Sequence, residues 1–522
     1  MSASPAAVAW HEPHQTRTVA LNVGGRYLTL TTELLLGMVM LPFNIRFLGA
    51  EDYGLWMLAA SIVVYFPVLQ LGYGGAMDRF VAHYRARKDA AAINEIASTL
   101  VLVFLAVGAL AFLAVAVIAW HLGALFELEA RMARTGGLVL LLVASQYAVG
   151  LPFAVFGAIV NGFQRMFLNS AVGFGVALAV TAVNVGVLLA GGTLVQLIAA
   201  TTATRLVGYA LYRRNAYRVF PLLRIRPSLF RFARLREVTE FSLYVLMQDL
   251  ANKTNYASDP IVIAAVLSTG AVAVWTVAQR LTDVVMRLAN QLNEVLFPIV
   301  VDCDSAQRED RLRELLVQGT RLSLATVLPV AGALALLAEP VVVGWTGPDF
   351  VASARLVEIL AVVVILRVTA WTSGTVLQGA GHHRLLAISN LIAAAVNVGL
   401  SILLIRRFGL PGVALATAVP ATVRAVTVTV PVACRRVGIS IWRYAALAIW
   451  PALWPGLIVL AGLALVRHDA TSLLTALGLG AVAGGIYLAL FLGIAIGRRD
   501  RHRYVGKLRS LAGRPALDLE AA

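Results

Sequence analysis

The chain has 522 residues, of which 60% are hydrophobic and only 13% charged, and its net charge is +16. Soluble domains carry about 25% charged residues and stop growing around a single core near about 250–300 residues, so this composition excludes a water-soluble protein. Two cysteines, Cys303 and Cys434, are too few for a disulfide framework, which leaves an all-α polytopic membrane protein.

Apolar runs of helical length recur from end to end. In chain order the expected spans are 24–48, 53–77, 97–122, 136–160, 168–190, 193–213, 239–266, 271–298, 319–344, 352–378, 385–405, 411–434, 442–465 and 472–497. That makes about fourteen transmembrane helices, each able to cross about 30 Å of hydrocarbon at 1.5 Å per residue. A short polar segment, 1–23, precedes them, and a basic tail, 498–522, follows. No basic start, short apolar core and A-x-A exit precede the first span, so no cleaved signal peptide is expected.

Arginines set the orientation. With the N-terminus inside, 30 of the 43 lysines and arginines fall on the inner side and six outside. The positive-inside rule then places both termini in the cytoplasm of a plasma (inner) membrane. Eight of the inner cations lie between Arg213 and Arg236, around a basic linker at 214–238. With no basic soluble domain, the positive charge points to anionic membrane lipids and not to nucleic acid.

An internal duplication organises the spans. Ala-Val-Asn-Val-Gly occurs at 182–186 and again 213 residues later at 395–399. Three weaker matches share the order: Val160-Asn161-Gly162 with Leu377-Gln378-Gly379, Thr204-Arg205 with Val423-Arg424, and Gly54-Leu55-Trp56 with Ala273-Val274-Trp275. The offset spans an even number of helices, so the copies run in the same direction. This predicts two parallel six-helix lobes, 24–213 and 239–434, plus two extra C-terminal helices at 442–497.

Two motifs near the start carry a family resemblance. Arg46-Phe47-Leu48-Gly49-Ala50-Glu51-Asp52-Tyr53-Gly54-Leu55-Trp56 and Leu69-Gln70-Leu71-Gly72-Tyr73-Gly74-Gly75-Ala76-Met77-Asp78-Arg79-Phe80 resemble the opening of bacterial polysaccharide-export proteins. These are the O-antigen-type oligosaccharide flippases of the MATE-like (MOP) superfamily. The resemblance implies translocation of a polyprenyl-diphosphate-linked oligosaccharide from the inner to the outer leaflet for cell-surface polysaccharide or lipopolysaccharide biosynthesis. A polysaccharide polymerase complex and a proton or Na⁺ are further candidate partners. An ion-coupled multidrug or metabolite exporter of the same architecture is the alternative, and a non-transporting scaffold is a third class.

Charges inside spans narrow the candidate site, because each costs about 2.5–3.5 kcal/mol on insertion scales and marks a cavity or a partner. In span 8, Arg280, Asp283, Arg287, Asn290, Gln291 and Glu294 share an arc of about 100° at 100° per residue. Arginine's planar fork suits diphosphate and keeps its charge when partly buried. Arg280 and Arg287 are therefore the leading substrate-binding candidates, with Lys253, Arg367, Asn252 and Asn255 behind them. Asp249, Asp259, Asp283 and Glu33 are the ion-coupling candidates, since a carboxylate at bilayer depth can exchange a proton as access alternates. Their competing role is to neutralise nearby arginines. No P-loop, zinc spacing, nucleophile elbow or dinucleotide fingerprint occurs, so no catalytic residue, metal or cofactor is expected, and the protein is read as a transporter and not an enzyme.

Overall fold

The structure is a computed structural model that describes residues 15–66, 68 and 73–496. Leu69–Gly72 of the second motif, the first fourteen residues and the basic tail fall outside the described residues. Among those described, helices account for almost everything. They are α1 (Gln15–Val63), α2 (Tyr73–Ala86), α3 (Ala90–Trp120), α4 (Ala130–Gly162), α5 (Met166–Leu189), α6 (Leu194–Val219) and α7 (Phe232–Val266). Next come α8 (Thr269–Ser305), α9 (Glu309–Leu336), α10 (Ala352–Gly379) and α11 (His383–Phe408). The last three are α12 (Leu410–Arg436), α13 (Ile441–Asp469) and α14 (Leu473–Ala495).

Among the described residues the expected spans fall largely on helix, but eleven helices there are long and apolar enough to cross a membrane. The difference has two causes. Expected spans 1 and 2 merge in α1, which continues through a kink at Gly49, whose φ of 81° suits glycine. Spans 7 and 8, now α7 and α8, are too charged to count as apolar spans, with Asp249, Lys253 and Asp259 in one and Arg280, Asp283, Arg287 and Glu294 in the other. The second span is also interrupted. Helix α1 ends at Val63, a turn follows at Val64 and Tyr65, and the next described helix, α2, starts at Tyr73.

Side chains define several helix starts. Asp89 accepts from the Ala92 N–H at 2.9 Å at the start of α3. Thr193 with Gln196, and Ser472 with Thr475, form reciprocal capping boxes on α6 and α14.

The duplication recurs in the backbone. Left-handed turn residues come in pairs: Lys88 and Gln307, Glu127 and Gly347, Gln164 and Gly381, Gly191 and Gly409. Their separations of 217 to 220 residues extend the sequence offset. One packing contact is duplicated too. A Cβ on Gly162 would lie 2.5 Å from a Val81 methyl, and one on Gly379 would lie 2.5 Å from a Val300 methyl. Each glycine lets two helices approach where no side chain fits.

Contacts divide the chain into two compact units. The first comprises residues 1–276 and 390–413, the second 277–389 and 414–522. In the first, a core of buried aliphatic and aromatic residues runs through α1 to α4 and α6, including Leu55, Ile96, Phe104, Ile159 and Phe220. The chain after α6 is stitched along α3. Asn94 donates to the Leu222 carbonyl and accepts from the Arg224 N–H, while the Arg226 and Arg231 N–H groups bond Ser98 and Thr99. These side chains satisfy backbone that no helix serves.

In the second unit, Tyr444 is fully buried, and its hydroxyl donates to the Thr369 carbonyl at 3.0 Å. A π-helical turn at Ala445–Ile449 widens α13. There Arg321 of α9 donates to the Leu447 carbonyl at 3.0 and 2.7 Å. Arg436 closes the arginine-rich end through Asp304 and Glu309, both at 2.6 Å. Cys303 and Cys434 are buried and free.

Candidate functional site

The second unit gathers a cationic group on α8 and α10. Asp283 lies within electrostatic reach of Arg280, Arg287 and Arg367. Arg280 and Asp283 are one turn apart on α8, and Arg287 follows one turn later, so helical spacing alone aligns them. Arg367 reaches the group from α10. Three guanidinium groups around one carboxylate leave two net positive charges in that set. The polar face of α8 is open: Arg287, Asn290 and Glu294 are exposed, and Arg280 and Asp283 half-buried. The opposite face packs through Leu281, Val285, Met286 and Ala289.

The remaining sequence candidates lie elsewhere. On α7, Asp249 and Lys253 interact as i,i+4 neighbours. Asn252 and Asn255 converge on Asn390 of α11, which donates to the Asn252 carbonyl oxygen at 2.9 Å and accepts from Asn255 at 3.2 Å. In the sequence Asn390 stands out only as an amide inside an apolar span. Asp259 is 1% exposed and interacts with Tyr65, whose hydroxyl is hydrogen-bonded to that of Thr254. Glu33 is exposed on α1, and it and Arg205 of α6 both act on the Tyr212 hydroxyl. The four carboxylates therefore occupy four different surroundings: Asp283 among three arginines, Glu33 beside a tyrosine that Arg205 also acts on, Asp249 beside a lysine, and Asp259 near a tyrosine hydroxyl in the buried interior.

Asparagines in the repeated motif have a packing role. Asn184 is buried and accepts from the Thr201 hydroxyl at 2.7 Å, joining α5 to α6. Asn397, its counterpart in the second copy, is 1% exposed.

One polar network was not foreseen. Asp78, just beyond the second span at the arginine-rich rim, accepts from Asn161 at 3.3 Å, and Asn161 accepts from Asn169 at 2.8 Å. The second Asp78 oxygen is buried with no hydrogen bond. Burial pushes the Asp78 carboxyl up to about 6, against the opposing effect of the Asn161 bond. A carboxyl raised by folding binds its proton more tightly in the native state. Stability is therefore greatest where Asp78 is protonated in both states, declines as pH rises from the ordinary aspartate value toward 6, and stays lower above it. Asp78→Asn should accordingly raise the thermal midpoint by a few degrees at pH 8, with the gain shrinking as pH falls to 4.5. Scanning fluorimetry across that range checks this, and a midpoint at pH 8 equal to or below that of the unmodified chain would refute it.

Comparisons with known proteins give a family from the sequence and a fold from solved structures. The model of the family described as polysaccharide biosynthesis protein matches residues 24–303, just over half of the chain. The probable low-salt glycan biosynthesis flippase Agl15 of Haloferax volcanii is 23% identical over 195 residues, 37% of this chain. The match spans only 41% of that relative's length. The solved structure of the lipid II flippase MurJ, in an inward closed conformation, superposes with a TM-score of 0.70 at 13% identity, covering 90% of this chain and 98% of that one. An inward-facing multidrug resistance MATE family transporter of the MOP superfamily superposes at 0.64 and 15% identity, covering 79% and 98%. At such identities the structural likeness establishes the fold: a multi-pass helical membrane protein of MurJ and MATE type.

Proposed function

We propose, proceeding from the fact that this chain belongs to the polysaccharide biosynthesis protein family, that it moves a polyprenyl-diphosphate-linked oligosaccharide from the inner to the outer leaflet of the plasma membrane. Alternating access of the two lobes would carry the headgroup across while the polyprenyl tail stays in lipid. The arginine distribution supports cytoplasmic termini. The observation that carries the proposal is the set of Arg280, Arg287 and Arg367 around Asp283. Two surplus positive charges on planar donors match a diphosphate, which offers several acceptor oxygens and two or more negative charges. A cationic drug would meet repulsion there. In the first unit, taken by itself, Lys253 supplies a separate cation, and the Asn252–Asn390–Asn255 amides offer donors and acceptors suited to sugar hydroxyls. Asp249, Asp259, Asp283 and Glu33 are the groups at which a proton or Na⁺ would couple.

Proteoliposomes containing the full chain test the reading. A fluorescent, short-chain prenyl-diphosphate oligosaccharide should cross the bilayer faster than in protein-free vesicles, read as protection from a membrane-impermeant quencher. Ethidium export from the same vesicles should not exceed background. Ethidium transport without oligosaccharide movement would establish the exporter instead, in keeping with the MATE-type fold.

A further inference from the structure

An open groove of about 600 Å³ lies between α5 and α6 in the first unit. Leu168, Gly175 and Ala179 line it from α5, and Val207, Leu211 and Asn215 from α6. Its walls are almost wholly apolar. From Leu168 to Ala179 it extends along α5 for about 16 Å at 1.5 Å per residue, close to half of about 30 Å of hydrocarbon. It occupies the half of α5 next to Arg165, on the arginine-rich side. The groove therefore has the depth of one leaflet.

Its mouth is cationic. With Leu211 at zero and 100° per residue, Thr204, Val207, Gly208 and Asn215 fall within about 60° of that direction on α6, and Arg218 and Arg214 fall about 20° and 60° away in the same stripe. Both arginines are exposed, and neither pairs with an acid among the described residues. Arg213 points the other way and stacks on the Tyr217 ring at 5.5 Å. Positive charge thus caps an apolar furrow at the depth where a lipid headgroup lies.

We infer that this groove binds the polyprenyl chain of a prenyl diphosphate lipid in the inner leaflet, with Arg214 and Arg218 holding the diphosphate. The inference deepens the flippase reading and rests on it for the class of lipid. A furrow between two helices admits one chain, whereas a phospholipid brings two. Small residues (Ala171, Gly175, Ala179, Gly208) alternate with valines along the walls, leaving recesses suited to methyl branches. The diphosphate carries more charge than a phosphodiester and matches two guanidinium groups.

The test is photolabelling of the full chain in phosphatidylcholine vesicles by a diazirine-bearing geranylgeranyl diphosphate. Label should map to α5 and α6. Nothing lies within 4 Å of a Cβ at Gly175, so Gly175→Phe starts its side chain in open space and directs it into the groove. It should lower labelling at least tenfold with an unchanged melting midpoint. The double change Arg214→Glu and Arg218→Glu, at exposed positions, should do the same and keeps the test decisive should the phenylalanine variant fold poorly. Labelling that survives both changes overturns the site. Equal competition by phosphatidylglycerol overturns it as well, since the furrow would then be a general lipid contact. The two readings fail separately. Transport by the unmodified chain without label at α5–α6 removes the groove alone, and groove-dependent label without transport removes the flippase alone.

Discussion

Arg280→Glu is expected to reduce oligosaccharide transport by at least about 30-fold while leaving a folded, membrane-inserted protein. Arg280 acts on Asp283 through space, and 30-fold corresponds to about 2 kcal/mol at about 1.4 kcal/mol per tenfold. Reversal does more than removal, because it places a second carboxylate beside Asp283 where the diphosphate would sit. The cationic surplus around Asp283 would fall from two to zero. Arg367→Glu should act the same way, since it enters the same group from α10. Arg205→Glu, in the first unit beside Tyr212, should have a much smaller effect and serves as the control for inserting an acid into the membrane region. Transport in proteoliposomes and size-exclusion profiles in detergent are the two readouts. Normal transport by folded Arg280→Glu and Arg367→Glu variants would remove this cluster from the substrate path.

Gly54→Val is expected to eliminate folded protein. A Cβ at Gly54 would lie 1.8 Å from the Thr269 carbonyl oxygen and 2.6 Å from its carbon. The obstacle is backbone, so no rotamer change relieves it, and α1 would have to move away from the start of α8. Overpacking that a side chain could relieve costs about 1–3 kcal/mol. A backbone clash at this distance should exceed that and approach the whole margin of about 5–15 kcal/mol. Gly462→Val and Gly478→Val make a fair comparison, because no atom lies within 4 Å of a Cβ at either site. Expression with a fluorescent C-terminal tag and size-exclusion detection would report the difference. A monodisperse Gly54→Val peak of normal height would show that α1 and α8 do not approach so closely.

Hydropathy and arginine bias are local properties of a helix in a bilayer. The helical spans, the duplication and the family resemblance could therefore be read from the chain alone. The Ala-Val-Asn-Val-Gly repeat announced the duplication, and the turn pairs such as Gly191 and Gly409 repeat it in backbone angles. Arg280, Asp283 and Arg287 were also legible together, because i,i+3 and i,i+4 spacing puts them on one face whatever surrounds the helix.

Partners from other helices were not legible, because they depend on how each helix is rotated and how closely it packs. Arg367 lies 80 residues beyond Arg287 in sequence, and only the packing of α8 with α10 adds its charge to the group around Asp283. Asn390 joins Asn252 and Asn255 for the same reason, and Asp78 meets Asn161 only where α2 crosses α4 at the Val81–Gly162 contact. The sequence by itself determined a membrane-spanning duplicated bundle and the row of charges along α8. Tertiary structure alone decided which charges share a neighbourhood, because an ionised group in an apolar medium draws most of its energy from the few side chains within a few ångströms, whichever part of the chain supplies them.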